Sequence, residues 1–239
     1  MTPALLAPVT VALTTAAMVV LAGPALAAPA PSDAEVGAAY GAMLSKKDAA
    51  ALGVRGDSMR TFAVSTSDRG TPDAPWLCDL TGIAEVEGKG APTLFASEVL
   101  SLKKGAVSDV SQEIHSYSGA PAAASAYKGI LKRITECTGQ QQPAAETEGD
   151  GQEGMTTQLT HGIRRVQGGS SFAWVRSETT IPGVEGFVSH QYLTVRLVGP
   201  YVQIIEVDSE GQNAPNLTAK NIAAADRLTI SLGDRWRTS

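Results

Sequence analysis

Apolar and polar positions along this chain change period from segment to segment, and each change marks an element. From Ser118 to Gln140, the residues Ala123, Tyr127, Ile130, Leu131, Ile134 and Cys137 recur at steps of three and four, while Lys128, Lys132, Arg133 and Glu136 point elsewhere. That spacing predicts an amphipathic helix with one face in need of a partner. Pro121 suits its first turn, where a missing N–H costs nothing, and Gly139 suits the left-handed residue just past its end. After a polar, aperiodic stretch the period drops to two. In FVSHQYLTVRLV, Leu193, Val195 and Leu197 alternate with Tyr192, Thr194 and Arg196, as in a strand with two unlike faces. Strands are predicted over Met155–Val166, Ser170–Thr180, Phe187–Val198 and Tyr201–Ser209, paired across Gly168-Gly169 and Gly199-Pro200.

Upstream, Ser32 and Glu35 form an S-x-x-E capping box that opens a helix with Tyr40, Met43, Leu44 and Leu52 as buried positions. Lys46, Lys47 and Asp48 break its pattern, which resumes at Ala49 and ends at Gly53. Thr61–Ser67 alternates as a strand; Thr93–Lys103 and Val107–Tyr117 read as two more, joined by the hairpin spacing Lys104-Gly105-Ala106. A last helix spans Asn216 to Leu232, with two competing faces: Ala219, Ile222, Ala223, Asp226 and Ile230, or Leu217, Leu228 and Leu232. Strand, hairpin, strand, helix therefore occurs twice. The fold predicted is α+β, a single antiparallel sheet built from two ββα-like halves plus an extra hairpin, with helices packed on it.

The N-terminus changes how the rest is read. An apolar run from Val9 to Leu21 precedes Pro24 and the A-x-A pattern Ala25-Leu26-Ala27, a secretory signal over residues 1–27, although its start lacks the usual Lys or Arg. Retention as an uncleaved anchor is the alternative; if the signal is cleaved, no lasting membrane anchor is expected. Residues 28–34 form a linker and 35–239 a single domain, with a mobile loop near 140–154. Export places Cys78 and Cys137 in an oxidising compartment, where an isolated pair bonds. The bridge expected here would close a loop of about sixty residues and contribute roughly 4 kcal/mol in the chain-entropy model; a redox-active or metal-ligating role is the alternative, without a C-x-x-C or a nearby His to support it. Trp76 reads as a plug over the bridge. With a net charge of -5 and no long basic run, the chain carries no footprint for nucleic acid.

Candidate chemistry is sparse. Gly56-Asp57-Ser58 matches the nucleophile string of one class of secreted esterases, but no hydrophobic strand precedes Ser58 and no Asp-x-x-His follows near the C-terminus. Arg55-Gly56-Asp57 is a three-residue adhesion match in turn-forming company. Asn216-Leu217-Thr218 is a glycosylation acceptor pattern that also suits a helix cap. His115, His161 and His190 lie on separate strands without metal-ligand spacing, so neither metal nor other cofactor is expected. The acidic pairs Glu85 and Glu87, and Glu146 and Glu148, read as solvated loop charges. More useful is the set Trp174, Arg176, His190, Tyr192 and Arg196. On adjacent antiparallel strands these share one face if the register aligns them, and then hold a ligand by stacking and charge or lie beneath a helix with the arginines snorkelling.

Met43-Leu44, Asp48 and Leu52-Gly53, a cysteine 25 residues on, the run AAASAYKGILKRITECTG, and Ala223-Ala224-Ala225 in the last helix together resemble the PknH-like extracellular sensor domains of actinobacteria, over about Ser32 to Leu232. The resemblance implies a mixed sensor fold with a disulfide and a cleft for an unidentified extracellular ligand, without known catalysis. Kinase-type members usually hold two disulfides, whereas this chain has cysteines for one, and no ligand residue carries over by position. The expected protein is thus secreted and non-catalytic, a ligand-binding or sensor-like member of the cell envelope whose partner is an extracellular ligand or an envelope protein. A secreted esterase-type hydrolase and a structural partner of envelope proteins are the alternatives.

Overall fold

All strands of the structure, a computed structural model describing residues 32–53, 59–65, 94–101, 107–137, 142–143, 156–166, 170–180 and 185–238, join one sheet. In chain order the elements are α1 (Asp33–Ala42), a 3-10 helix (Asp48–Leu52), β1 (Met59–Ser65), β2 (Leu94–Ser101), β3 (Asp109–Ser116), α2 (Ala120–Cys137), β4 (Gln142–Pro143), β5 (Thr156–Arg165), β6 (Ser171–Thr180), β7 (Phe187–Val198), β8 (Tyr201–Gln212) and α3 (Ala219–Thr238). Neighbours run β1-β2-β3-β8-β7-β6-β5-β4, each pair antiparallel. The α+β fold, its single antiparallel sheet and its two strand-strand-helix halves are therefore present, with β3 against β8 as the seam between halves and β5–β6 as the extra hairpin. Cys78 lies outside the described residues, and so do Trp76, Ser58, the segments 1–31, 102–106 and 167–169, and the 140–154 stretch apart from β4.

Side chains alternate across a pleated strand, so the register fixes which residues share a face. Val195 stands opposite Ala173 on one side and Ile204 on the other, and Val175, Leu193 and Val202 follow on the same face. Helix α2 covers these with Ala123, Ala126, Ile130 and Ile134, all buried. The opposite face carries Tyr192, Ile205, Val207 and Val110, covered by Ala224, Ala225, Leu228 and Leu232 of α3 together with Leu44, Ala49 and Leu52. At its far end Ala39, Ala42 and Met43 meet Ile114, Val198 and Trp236, whose ring lies 5.2 Å from that of Tyr201. Arg235 of α3 ties down the 3-10 helix through Asp48, at 2.9 Å. The molecule is thus helix, sheet, helix. A two-fold axis normal to the sheet would relate β3 to β8 but keep both helices on one face; they lie on opposite faces, so the halves are not a repeat.

Three local readings change. Tyr40 is 47% exposed, because α1 turns Ala39 and Ala42 inward instead, with Met43 just beyond its end. Between the competing faces of the last helix, the leucines win, yet Asp226 is also buried. That helix also runs past Leu232 to Thr238, with Gly233 in its interior. Gly199 takes φ 57°, the left-handed conformation that the first residue of a two-residue hairpin turn requires, and Gly199-Pro200 joins β7 to β8 as the sequence indicates.

Candidate functional site

The β6–β7 register pairs Trp174 with Thr194, Arg176 with Tyr192 and Glu178 with His190, so Trp174, Arg176, His190, Tyr192 and Arg196 do share one face. It is the face under α3, and the five divide into those committed to the helix and those at its margin. Arg196 is 1% exposed; its Nη1 donates to the carbonyls of Thr229 at 3.2 Å and Ile230 at 2.7 Å, and its Nη2 to Asp234 Oδ1 at 2.9 Å. Gln203 adds a bond to the Thr229 carbonyl at 3.1 Å, and the Thr194 and Thr229 hydroxyls meet at 2.5 Å. Tyr192, also buried, donates its hydroxyl to Asp226 Oδ1 at 2.8 Å. Burial first, then the Asp226 carboxylate, pushes that phenol above its ordinary range. Burial raises the Asp226 carboxyl as well, against the opposing pull of Tyr192, Arg164 and Arg227. His190 is buried, its Nδ1 3.6 Å from the Glu178 carboxylate.

Trp174 and Arg176 occupy the margin and are partly exposed. The indole stacks on Tyr192 with ring centroids 6.1 Å apart at 27° and lies across Gly162 of β5, where a Cβ would fall 2.8 Å from the ring. Gly162 thus sets the tilt of Trp174. Arg176 Nη2 donates to Asn216 Oδ1 at 2.9 Å, in the loop that enters α3. No carboxylate pairs with Arg176 among the described residues. Arg164, 46% exposed, stands diagonal to Trp174 and bonds Asp226. The helix cap at this end is Thr218, not Asn216: the Asn221 N–H donates to Thr218 Oγ1 at 3.2 Å, and the Thr218 N–H donates to Asn221 Oδ1 at 3.0 Å.

The chain is similar to a solved structure, that of the extracellular domain of PknH from Mycobacterium tuberculosis. Sequence identity is 13% and the TM-score 0.48, over 82% of this chain and 94% of that one. No family model matches the chain, and no curated protein matches it.

The sheet's other face holds a group that sequence reasoning missed. Beyond the apolar patch under α2, Glu206 and Asp208 stand two residues apart on one face of β8, and Glu206 accepts from the Gln191 amide, itself bonded by Ser177 at 3.2 Å. Asp109 stands directly opposite Asp208 on β3. Burial, then the neighbouring charge of Glu206, pushes the Asp208 carboxyl up to about 9; burial likewise raises Glu206. Spacing offered one hint, since Glu206 and Asp208 alternate on a strand, but only the long-range register puts Asp109 beside them.

His115 and His161 lie on this face and His190 on the other, so the three do not converge. His115 is buried, with Nε2 3.3 Å from Glu113. Among the described residues no group of three or more His, Cys, Asp or Glu is arranged to hold a metal ion, and no helix is long and apolar enough to cross a membrane.

Proposed function

We propose that this protein is a non-catalytic, sensor-like ligand-binding module, exported to the cell envelope of an actinobacterium and stapled by a Cys78–Cys137 bridge. Its ligand surface is the part of this sheet face where Trp174 and Arg176 emerge at the margin of α3. The observation that carries this reading is the pairing of a partly exposed, fixed indole with a guanidinium whose described partner is a neutral amide. An indole held on two sides offers stacking area at little entropic cost, and Arg176 keeps N–H donors beyond the one given to Asn216. Tyr192, Arg196 and His190 serve this surface from behind, by seating α3 and holding the sheet beneath the indole.

Melting curves with a panel of envelope glycans and lipids test the proposal. A ligand that binds the folded state alone raises Tm, by about 2.7 kcal/mol of stabilisation at a hundredfold excess over Kd. The shift is expected in wild type and reduced in both Trp174→Phe and Arg176→Gln. A panel without effect, or a shift indifferent to both substitutions, refutes the placement.

A further inference from the structure

Charge around the indole narrows what this surface takes. Two guanidiniums, Arg164 and Arg176, flank the indole in a chain whose net charge is -5, and Arg227 of α3 acts on Asp226. Two carboxylates stand near them among the described residues. Asp226 is buried and already engaged by Arg164 and by the Tyr192 hydroxyl. Glu178, one step further along β6, lies beside His190. Asp226 is therefore spent on Arg164, and Arg176, bonded to a neutral amide, has no carboxylate partner among the described residues. A guanidinium fork matches carboxylate and phosphate oxygens, while an indole face accepts the C–H face of a sugar ring. Arg176 follows Trp174 by two residues on the same face of β6 and Arg164 is diagonal to it, so the indole has a cation on either side.

We propose that the surface binds an acidic sugar, its ring laid on Trp174 and its carboxylate or phosphate taken by Arg176. This deepens the ligand-binding reading above and rests on it. Arg164 supplies long-range attraction, and its direct bond stays with Asp226.

Four probes separate the possibilities: oligogalacturonate, inositol phosphate, vesicles containing phosphatidylinositol, and neutral cellotetraose, each titrated into the full chain by calorimetry. Expected is binding of one or more acidic probes that weakens as salt is raised, that falls tenfold or more in Arg176→Gln, and that Arg176→Lys restores only in part. Response to the vesicles but not to free inositol phosphate identifies a lipid headgroup as the source of the anion; the reverse identifies a soluble sugar acid. Cellotetraose bound as tightly as the acidic probes overturns the charge assignment while leaving the ligand surface standing. Acidic probes that bind with no dependence on Arg176 overturn it as well. Silence from all four, the neutral one included, overturns both this inference and the surface it depends on. Should Arg176→Gln fail to fold, Arg164→Gln and the salt dependence of the wild type decide the matter: binding insensitive to salt is incompatible with the proposal.

Discussion

Gly233 gives a prediction whose sign runs against ordinary helix energetics. Alanine for glycine inside a helix normally stabilises by about 1 kcal/mol. Here a Cβ would lie 2.6 Å from Arg196 Nη1, 3.0 Å from Gln203 Oε1 and 3.2 Å from Arg196 Cδ. The end of an arginine usually swings aside cheaply, but Arg196 is 1% exposed and its guanidinium is tied to two carbonyls and a carboxylate of the same helix. To make room, the guanidinium must give up the Thr229 and Ile230 carbonyls, and hydrogen bonds from a charged donor contribute about 1.5 to 3 kcal/mol each. Both carbonyls belong to the interior of α3 and keep their helical bonds, so the orphaned group is the buried Nη1 of Arg196, which adds to the loss. Gly233→Ala should therefore destabilise by about 2 kcal/mol or more, a fall in Tm of roughly 4 to 8 °C for a chain of this size. Urea unfolding measures it, with a lower midpoint and an unchanged slope. In an Arg196→Ala background the tightest contact is gone and only the Gln203 amide oxygen, at 3.0 Å, must shift, so the same change should stabilise by up to about 1 kcal/mol relative to Arg196→Ala alone. If Gly233→Ala stabilises the wild type, α3 is not seated on Arg196 and the account of this face is wrong.

Gly162→Ala pushes a Cβ into the Trp174 ring, at 2.8 Å; as overpacking against a rigid group it should cost about 1 to 3 kcal/mol and alter the tryptophan emission spectrum, and an unchanged spectrum would contradict the placement of the indole. Asp208 keeps its proton up to about pH 9 when folded, against about 4 when unfolded, so its stabilising contribution is complete below about pH 4 and is lost as pH rises through 9. Stability measured from about pH 5 to 9 should therefore fall in wild type and fall less steeply in Asp208→Asn, whereas parallel profiles would show that the carboxyl is not proton-loaded. Reduction of the expected Cys78–Cys137 bridge should lower stability by roughly 4 kcal/mol, and thiol labelling of the unreduced, folded protein should find no reactive sulfhydryl; two labelled cysteines would remove the bridge from the account.

What the sequence revealed and what it hid divide along the range of the interactions. Period-two alternation in FVSHQYLTVRLV and the Gly199-Pro200 turn were enough to place β7 and β8, because a strand's faces and a hairpin's turn are local properties. The buried stripe of α2 was legible for the same reason, save Ala126, a small residue that carries little weight in a hydrophobic pattern yet is fully buried, and Arg133, which the pattern turned outward and which is buried. The last helix was read as ending at Leu232, short of Thr238. Gly233 stays helical since Arg196, on a strand over thirty residues away, occupies the place of its side chain. Likewise the sequence showed that Trp174, Arg176, His190, Tyr192 and Arg196 would share a face if the register allowed. It did not show that α3 would take Arg196 and Tyr192 for itself. That choice is made by Asp226, Thr229 and Asp234, polar positions on a helix whose pattern left its inner face open.

The most direct test of the ligand surface is nuclear magnetic resonance of the isotope-labelled protein titrated with oligogalacturonate. The account predicts that the Trp174 indole N–H and the Arg176 side-chain signals move together and saturate, while the indole of Trp236, 5% exposed in its own cluster, stays fixed. Signals of Trp174 and Arg176 that stand still while other residues respond, or no response anywhere, would contradict it.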